Sequence, residues 1–202
     1  MVKAEDIDKT ILALRAKYRE ELETHKPIER EIDIGINKVP LHRELLFGGK
    51  CSIMLPETMV DMDRLESMVR YRSQNRPQII KTDYGMDVTV TFSQFPGDRM
   101  EEDISGQMEK VCHDMKRVWK QNVFYDRGDI AADGFPVAWM DSRAFCLDGS
   151  LYSLLFMFQV EDQVILGNFH CNFSKYDIWK PAVLKLLSTI KKEEAENERI
   201  SD

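Results

Sequence analysis

No short catalytic or cofactor motif occurs anywhere in the chain. There is no Gly-x-Ser-x-Gly elbow for nucleophilic attack and no glycine-rich phosphate loop of either common kind. Cysteine is scarce: Cys51, Cys112, Cys146 and Cys171 stand far apart inside apolar patterns, which reads as buried free thiols in a reducing compartment rather than a disulfide framework. Metal ligands are equally sparse, the close pairs being Cys112-His113 and His170-Cys171. Neighbouring residues diverge on a helix and on a strand, so one member of each pair falls on the apolar face; neither a metal nor a cofactor is expected. No apolar run approaches the roughly 20 residues of a membrane span. The start, Met1-Val2-Lys3-Ala4-Glu5-Asp6, lacks the basic and apolar character of a secretory leader. A cytoplasmic location away from membranes is therefore expected. The formal charge of -7, from 28 basic and 35 acidic side chains, repels a phosphate backbone, so nucleic acid is not an expected partner.

What the chain does have is the material of an ordinary core: 43% hydrophobic and 31% charged residues over 202 positions suit one folded domain. Ile7, Ile11, Leu14, Tyr18 and Leu22 recur at helical spacing with charges between them, which predicts an amphipathic helix over about 4–24. Ile32, Ile34 and Ile36 alternate with polar residues, and Cys51-Ser52-Ile53-Met54-Leu55 forms a second extended run ending at Pro56. A short helix or lid is read over 58–71. Gln78 to Asp83 and Met86 to Phe95 form a hairpin with Tyr84-Gly85 at its turn, and Val88, Val90 and Phe92 on one face. Glu101, Glu102 and Asp103 supply the negative charge that favours a helix start, and Ile104, Met108, Val111, Met115 and Val118 mark that helix's apolar face to about Asn122.

Three long strand patterns follow at Phe135 to Leu147, Leu151 to Val160 and Val164 to Phe173, joined by the turn signals Asp148-Gly149 and Glu161-Asp162. In the middle one Tyr152, Leu154, Phe156 and Phe158 face one side and Leu151, Leu155 and Met157 the other, so both faces need cover. A closing helix from Asp177, read as its N-cap, to Lys191 carries Trp179, Ala182, Val183, Leu186, Leu187 and Ile190, with Pro181 near its first turn. The expected organisation is a helical appendage at 1–30, a single α+β domain at 31–192 and a flexible tail at 193–202. Within the domain an antiparallel sheet is flanked by helices on both faces, an α/β/α sandwich.

The order of these elements, with Leu55-Pro56 leading out of an early strand, the Thr89-Val90-Thr91-Phe92 strand, and Gly167-Asn168-Phe169 leading into a Trp179 helix that ends Leu187-Ser188-Thr189-Ile190, resembles the PsbP-like and DcrB-like α/β/α sandwich superfamily over roughly residues 45–192. The resemblance implies a binding domain rather than an enzyme. Proteins of that kind include accessory subunits, a release factor for a nuclear-transport GTPase, and chaperones that hold segments of bacterial effectors. No individual functional residue carries over from it.

Two groups of residues stand out as candidate partner-binding positions. The first is Arg70, Arg72 and Arg76, in the one local basic cluster of an acidic chain. These either grip an acidic peptide or phosphate through guanidinium contacts, or form a solvated loop neutralising Asp61, Asp63 and Glu66. The second is Trp139, Asp141 and Arg143, where two charges interrupt an apolar strand face. They mark an open end where a partner docks, or an ion pair at the sheet's edge. Arg127-Gly128-Asp129 reads as a charged loop between strands, and Ser150 as a turn residue. The function expected is a non-enzymatic protein- or peptide-binding module, adaptor or chaperone-like. The alternatives are a homo-oligomer associating through Ile7, Ile11, Leu14 and Tyr18, or an enzyme of unknown class.

Overall fold

The computed structural model describes residues 11, 14, 15, 30–97 and 103–193, and from residue 30 onward eleven strands and three α-helices follow one another among the described residues. The fold is mixed α+β and all its strand pairs are antiparallel. Of the expected N-terminal helix only Ile11, Leu14 and Arg15 are described, and all three are helical. The rest of that helix, and all of the expected tail except Glu193, lie outside the described residues.

The early strands do not join the main sheet. β1 (Glu31–Ile34), β2 (Asn37–Leu46) and β3 (Cys51–Pro56) pair in order, and β11 (Lys191–Lys192) closes a four-stranded sheet against β3. The sequence pattern misses β2 because it contains Pro40 and has little alternation. Its first half pairs with β1 and its second with β3, and Pro40 sits at the changeover. There its missing N–H interrupts no ladder, while its carbonyl accepts from Glu57 N at 2.9 Å.

The larger sheet has seven strands in the order β4-β5-β6-β10-β9-β8-β7. These are β4 (Val60–Asp61), β5 (Ile79–Thr82), β6 (Val88–Pro96), β7 (Val123–Ala132), β8 (Phe135–Cys146), β9 (Gly149–Val160) and β10 (Gln163–Asn172). The expected hairpin and the three consecutive long strands are all present. Arg127-Gly128-Asp129 lies within β7 rather than in a loop. Gly128 is held flat there: a Cβ would stand 3.4 Å from Trp139 Nε1 on the facing strand.

Side-chain alternation divides the interior. Val137, Trp139, Tyr152, Leu154, Phe156, Phe158 and Phe169 belong to a large cluster that also contains Ile53 and Leu55 of the small sheet and Val183, Leu184 and Leu187 of α3 (Tyr176–Leu187). Ala138, Met140, Met157 and Val164, from the intervening positions, pack with Ile104, Met108 and Cys112 of α2 (Ile104–Val118). The other side of α3 meets the small sheet through Ala182 and Leu186, against Ile32 and Leu41. Helix α2 begins as its charges suggest, with the Asp103 carboxylate accepting from Gly106 N at 2.8 Å.

Both ends of α3 differ from expectation. A 3-10 turn at Phe173–Lys175 precedes it, capped by Asn172, whose Oδ1 accepts from Ser174 N at 2.9 Å; Asp177 falls in the first turn rather than at the cap. The helix stops at Leu187 because Ser188 and Thr189 donate their hydroxyls to the Lys185 and Leu186 carbonyls. Thr189 Oγ1 then accepts from Met54 N at 2.9 Å, turning the chain into the small sheet. Of the four cysteines, Cys51, Cys112 and Cys171 are buried as expected, whereas Cys146 at the end of β8 is exposed; all four are free.

Gly167 marks the tightest point of the core. It pairs with Phe92 on one side and Phe156 on the other, and those two rings meet edge to face at 5.8 Å across it. A Cβ there would lie 2.0 Å from the Phe156 ring, which has 0% exposure and no room to withdraw. Gly167→Ala is therefore expected to destabilise the fold by about 2–3 kcal/mol or more, read as a lower urea midpoint at unchanged slope. Ala in place of the exposed Gly48 is the comparison, since nothing lies within 4 Å of the added carbon and only the positive φ of 71° opposes it.

Candidate functional site

Helix α1 (Arg64–Arg70) has no buried residue. It starts cleanly, with Asp63 Oδ1 accepting from Leu65 N at 2.8 Å, yet its apolar side chains Leu65 and Val69 are 75% and 66% exposed. One side of it, through Arg64, Ser67 and Met68, faces Arg76 to Ile80 across an open cleft of about 500 Å³. Buried Met62 and Ile80 line the same cleft.

The carboxylates near the basic cluster are already engaged. Asp61 pairs with Lys81 at 2.9 Å, Asp63 caps α1, and Glu66 pairs with Arg70 at 3.1 Å. Lys81 is held between Asp61 of β4 and Glu44 of the small sheet, 2.8 Å away. Burial works against its charge, but the two carboxylates outweigh this and raise its pKa. Of the arginines expected to neutralise Asp61, Asp63 and Glu66, only Arg70 does so. Arg72 donates to the Val69 carbonyl at 3.4 Å, and Arg64 and Arg76 make no ion pair among the described residues. Arg64, which the sequence reading passed over, becomes a site residue because the turn into α1 sets it across the cleft from Arg76. The spacing of Arg64, Ser67 and Met68, three and four residues apart, was the sign that they share a helix face.

The second group lies elsewhere and mostly inside. Trp139 is 7% exposed and Asp141 1%. Asp141 does not pair with Arg143; its Oδ2 lies 3.0 Å from Lys180 Nζ and accepts from Tyr152 at 3.2 Å, and its Oδ1 accepts from Asp126 N at 2.7 Å. Asp126 sits where the β7–β8 register shifts, so the bulge serves to aim that N–H inward. Lys180 also contacts Asp126 Oδ2 at 2.5 Å and lies 5.3 Å over the Trp139 ring. Burial pushes the Asp141 carboxyl up, opposed by Lys180 and the Asp126 N–H. Burial likewise opposes the Lys180 ammonium, but Asp141 and Asp126 outweigh it and hold that pKa above its ordinary value. The two shifts pull in opposite senses, and the short contacts to two carboxylates favour the ionised pair. Arg143 is half-buried, its guanidinium 4.1 Å from the Phe173 ring and 4.8 Å from Phe145, donating to Ser150 Oγ at 2.9 Å. Of the three arginines Arg70, Arg72 and Arg76, only Arg76 lines the cleft, while Arg70 is engaged with Glu66 and the Met86 carbonyl and Arg72 with the Val69 carbonyl; Trp139 and Asp141 belong to the interior.

The same architecture occurs in solved structures. Cyanobacterial PsbP (CyanoP) from Synechocystis aligns with 84% of this chain and 99% of its own, at 13% identity and a TM-score of 0.58. The fold is PsbP-like. The Ran-binding protein Mog1p of Saccharomyces cerevisiae aligns with 76% of this chain and 96% of its own, at 8% identity and a TM-score of 0.53. Neither name describes an enzyme. No family model and no curated protein matches the sequence. On this PsbP-like frame no described helix is long and apolar enough to cross a membrane.

One titratable group ties the end of α1 to the large sheet. His170 on β10 shares a hydrogen bond at 3.4 Å with the hydroxyl of Tyr71, the residue that ends α1, and their rings meet edge to face. Burial, helped by the Arg70 charge, lowers the His170 pKa to about 4, and its Nδ1 is buried with no hydrogen-bond partner among the described residues. The folded state therefore binds this proton less readily than the unfolded chain. The contribution is fully present above about pH 6.5 and is lost as the pH falls toward 4. Stability should drop by up to about 3 kcal/mol over that window, and His170→Phe should flatten this part of the pH–stability curve in urea titrations.

Lys180→Met would strand the Asp141 carboxylate without a counter-charge, so a loss of about 3–5 kcal/mol is expected in the same assay. The double variant Lys180→Met, Asp141→Leu should recover much of it. A loss in the double variant equal to the sum of the losses in Lys180→Met and in Asp141→Leu alone would show that the two charges act independently.

Proposed function

We propose that this protein is a non-enzymatic binding module, adaptor or chaperone-like, that receives a segment of another protein on the surface formed by α1, the 70–76 loop and the adjoining cleft. The observation that carries the reading is the exposure of α1: a helix that buries none of its own residues yet presents Leu65, Met68 and Val69 to solvent is a surface suited to a partner. The PsbP-like fold supports it at the level of kind, since one protein of similar fold is named for binding the protein Ran. Kinship with the DcrB-like side of that superfamily belongs to the same proposal, as does a helix–sheet–helix sandwich, supported by the separate packing of α2 and α3. A cytoplasmic location is proposed with it, supported by four free cysteines.

A second reading has its own observation. Ile11 and Leu14 are helical and exposed, at 40% and 62%, which favours association of two copies through the stripe that also holds Ile7 and Tyr18.

A photo-crosslinking residue at Val69 or Arg76 should capture a partner in cells, while the same residue at Leu147, on the tip of the β8–β9 turn, should not. Capture only at Leu147, or at none of the three, would refute the proposed surface. Capture of a second copy of the chain through Leu14 would favour the oligomer.

A further inference from the structure

We infer that the segment bound at this surface is acidic and amphipathic, with carboxylates seated between Arg64 and Arg76 and apolar side chains against Met68, Leu65 and Val69. The inference rests on the binding-module reading and adds the chemistry of the partner. Charge complementarity carries it. In a chain of net charge -7, a basic cluster would ordinarily be neutralised from within, and carboxylates stand next to this one. Each is committed: Asp61 to Lys81, Asp63 to the start of α1, Glu66 to Arg70. What remains is a pair of guanidinium groups with no ion-pair partner among the described residues, lining a cleft whose one carboxylate, Asp61, is held by Lys81.

A guanidinium presents paired donors that match a carboxylate, and Arg76, half-buried and followed by Pro77, has less freedom to lose on binding than a fully exposed arginine. Met62 and Met68 in the same cleft provide adaptable apolar surface that tolerates variation in the bound side chains. The cleft volume, about 500 Å³, is in the range that holds a few side chains rather than a whole domain.

The test is fluorescence anisotropy with the full chain and two short labelled peptides, one alternating glutamate with leucine and one alternating glutamine with leucine. The acidic peptide should bind about tenfold or more tightly than its amide counterpart, and added salt should erode the difference. The double variant Arg64→Ala, Arg76→Ala should reduce the acidic peptide to the amide peptide's affinity, with thermal melting unchanged. Arg64→Lys, which keeps the charge but not the fork, should fall between. Arg127→Ala, which removes an arginine already paired with Glu109 on a different face, should change nothing.

Equal affinity for the two peptides, or full binding by the double variant, would overturn the inference. If a partner still crosslinks at Val69 and Arg76 in that case, the binding surface stands and only its acidic preference falls. Displacement of the peptide by inorganic phosphate at comparable concentration would assign the arginines to a free anion and overturn it as well.

Discussion

The Lys180 ammonium is the charge around which the large core is organised. At 1% exposure it draws in three separate pieces of the chain: its own helix α3, the Asp141 carboxylate on β8, and the bulged segment of β7 that supplies Asp126. Tyr152 joins from β9 through Asp141, and the aromatic rings of Trp139 and Tyr176 lie beside the cation. An ammonium in such surroundings is tolerable only while its partners are in place, so the position of α3 on the sheet and the irregularity of β7 are set together. Hydrophobic packing alone would allow α3 to slide along the sheet; the charged network selects one register.

A second buried lysine does comparable work between the sheets. Lys81 of β5 reaches Glu44 of β2 and Asp61 of β4, linking the small sheet to the far edge of the large one. The consequence reaches the candidate site. Asp61 lines the same cleft, but its carboxylate is drawn to Lys81, which leaves Arg64 and Arg76 without an ion-pair partner among the described residues. The site is thus partly a by-product of how the two sheets are held. Helix α1, anchored by its Asp63 cap and by Tyr71 on His170, supplies the apolar half of the surface without entering the core.

Much of the architecture was legible because strand and helix periodicities are local. The three strands from Phe135 to Asn172 alternate in the expected sense, and the hairpin around Tyr84-Gly85 pairs as its pattern implies. Pro40 concealed β2, since a proline in an extended run argues against a central strand unless, as here, that strand changes partners at the proline. The end of α3 was overrun because Ile190 continues the apolar pattern; its burial comes from the small sheet's side of the core, after the hydroxyls of Ser188 and Thr189 have closed the helix. For the site, the arginine cluster was visible as composition, but Arg64 was not, because it belongs to the cluster only across a cleft. Asp141 looked like an interruption of an apolar face because the cation that accounts for it is 39 residues away in α3.

By itself the sequence determined most, though not all, of the extended and helical segments, which faces of the long strands and of α2 and α3 are apolar, and that the chain carries a basic patch against an acidic background. Those properties follow from the repeat of side-chain direction along a backbone and from simple charge. Only the tertiary structure decided that the strands divide into two sheets, that Asp141 is answered by Lys180, and that Arg64 and Arg76 line one cleft with no ion-pair partner among the described residues. Strand partnership and the pairing of buried charges depend on contacts between residues far apart in the chain, and exclusion of water, which gives those pairings their strength, exists only once the chain has folded.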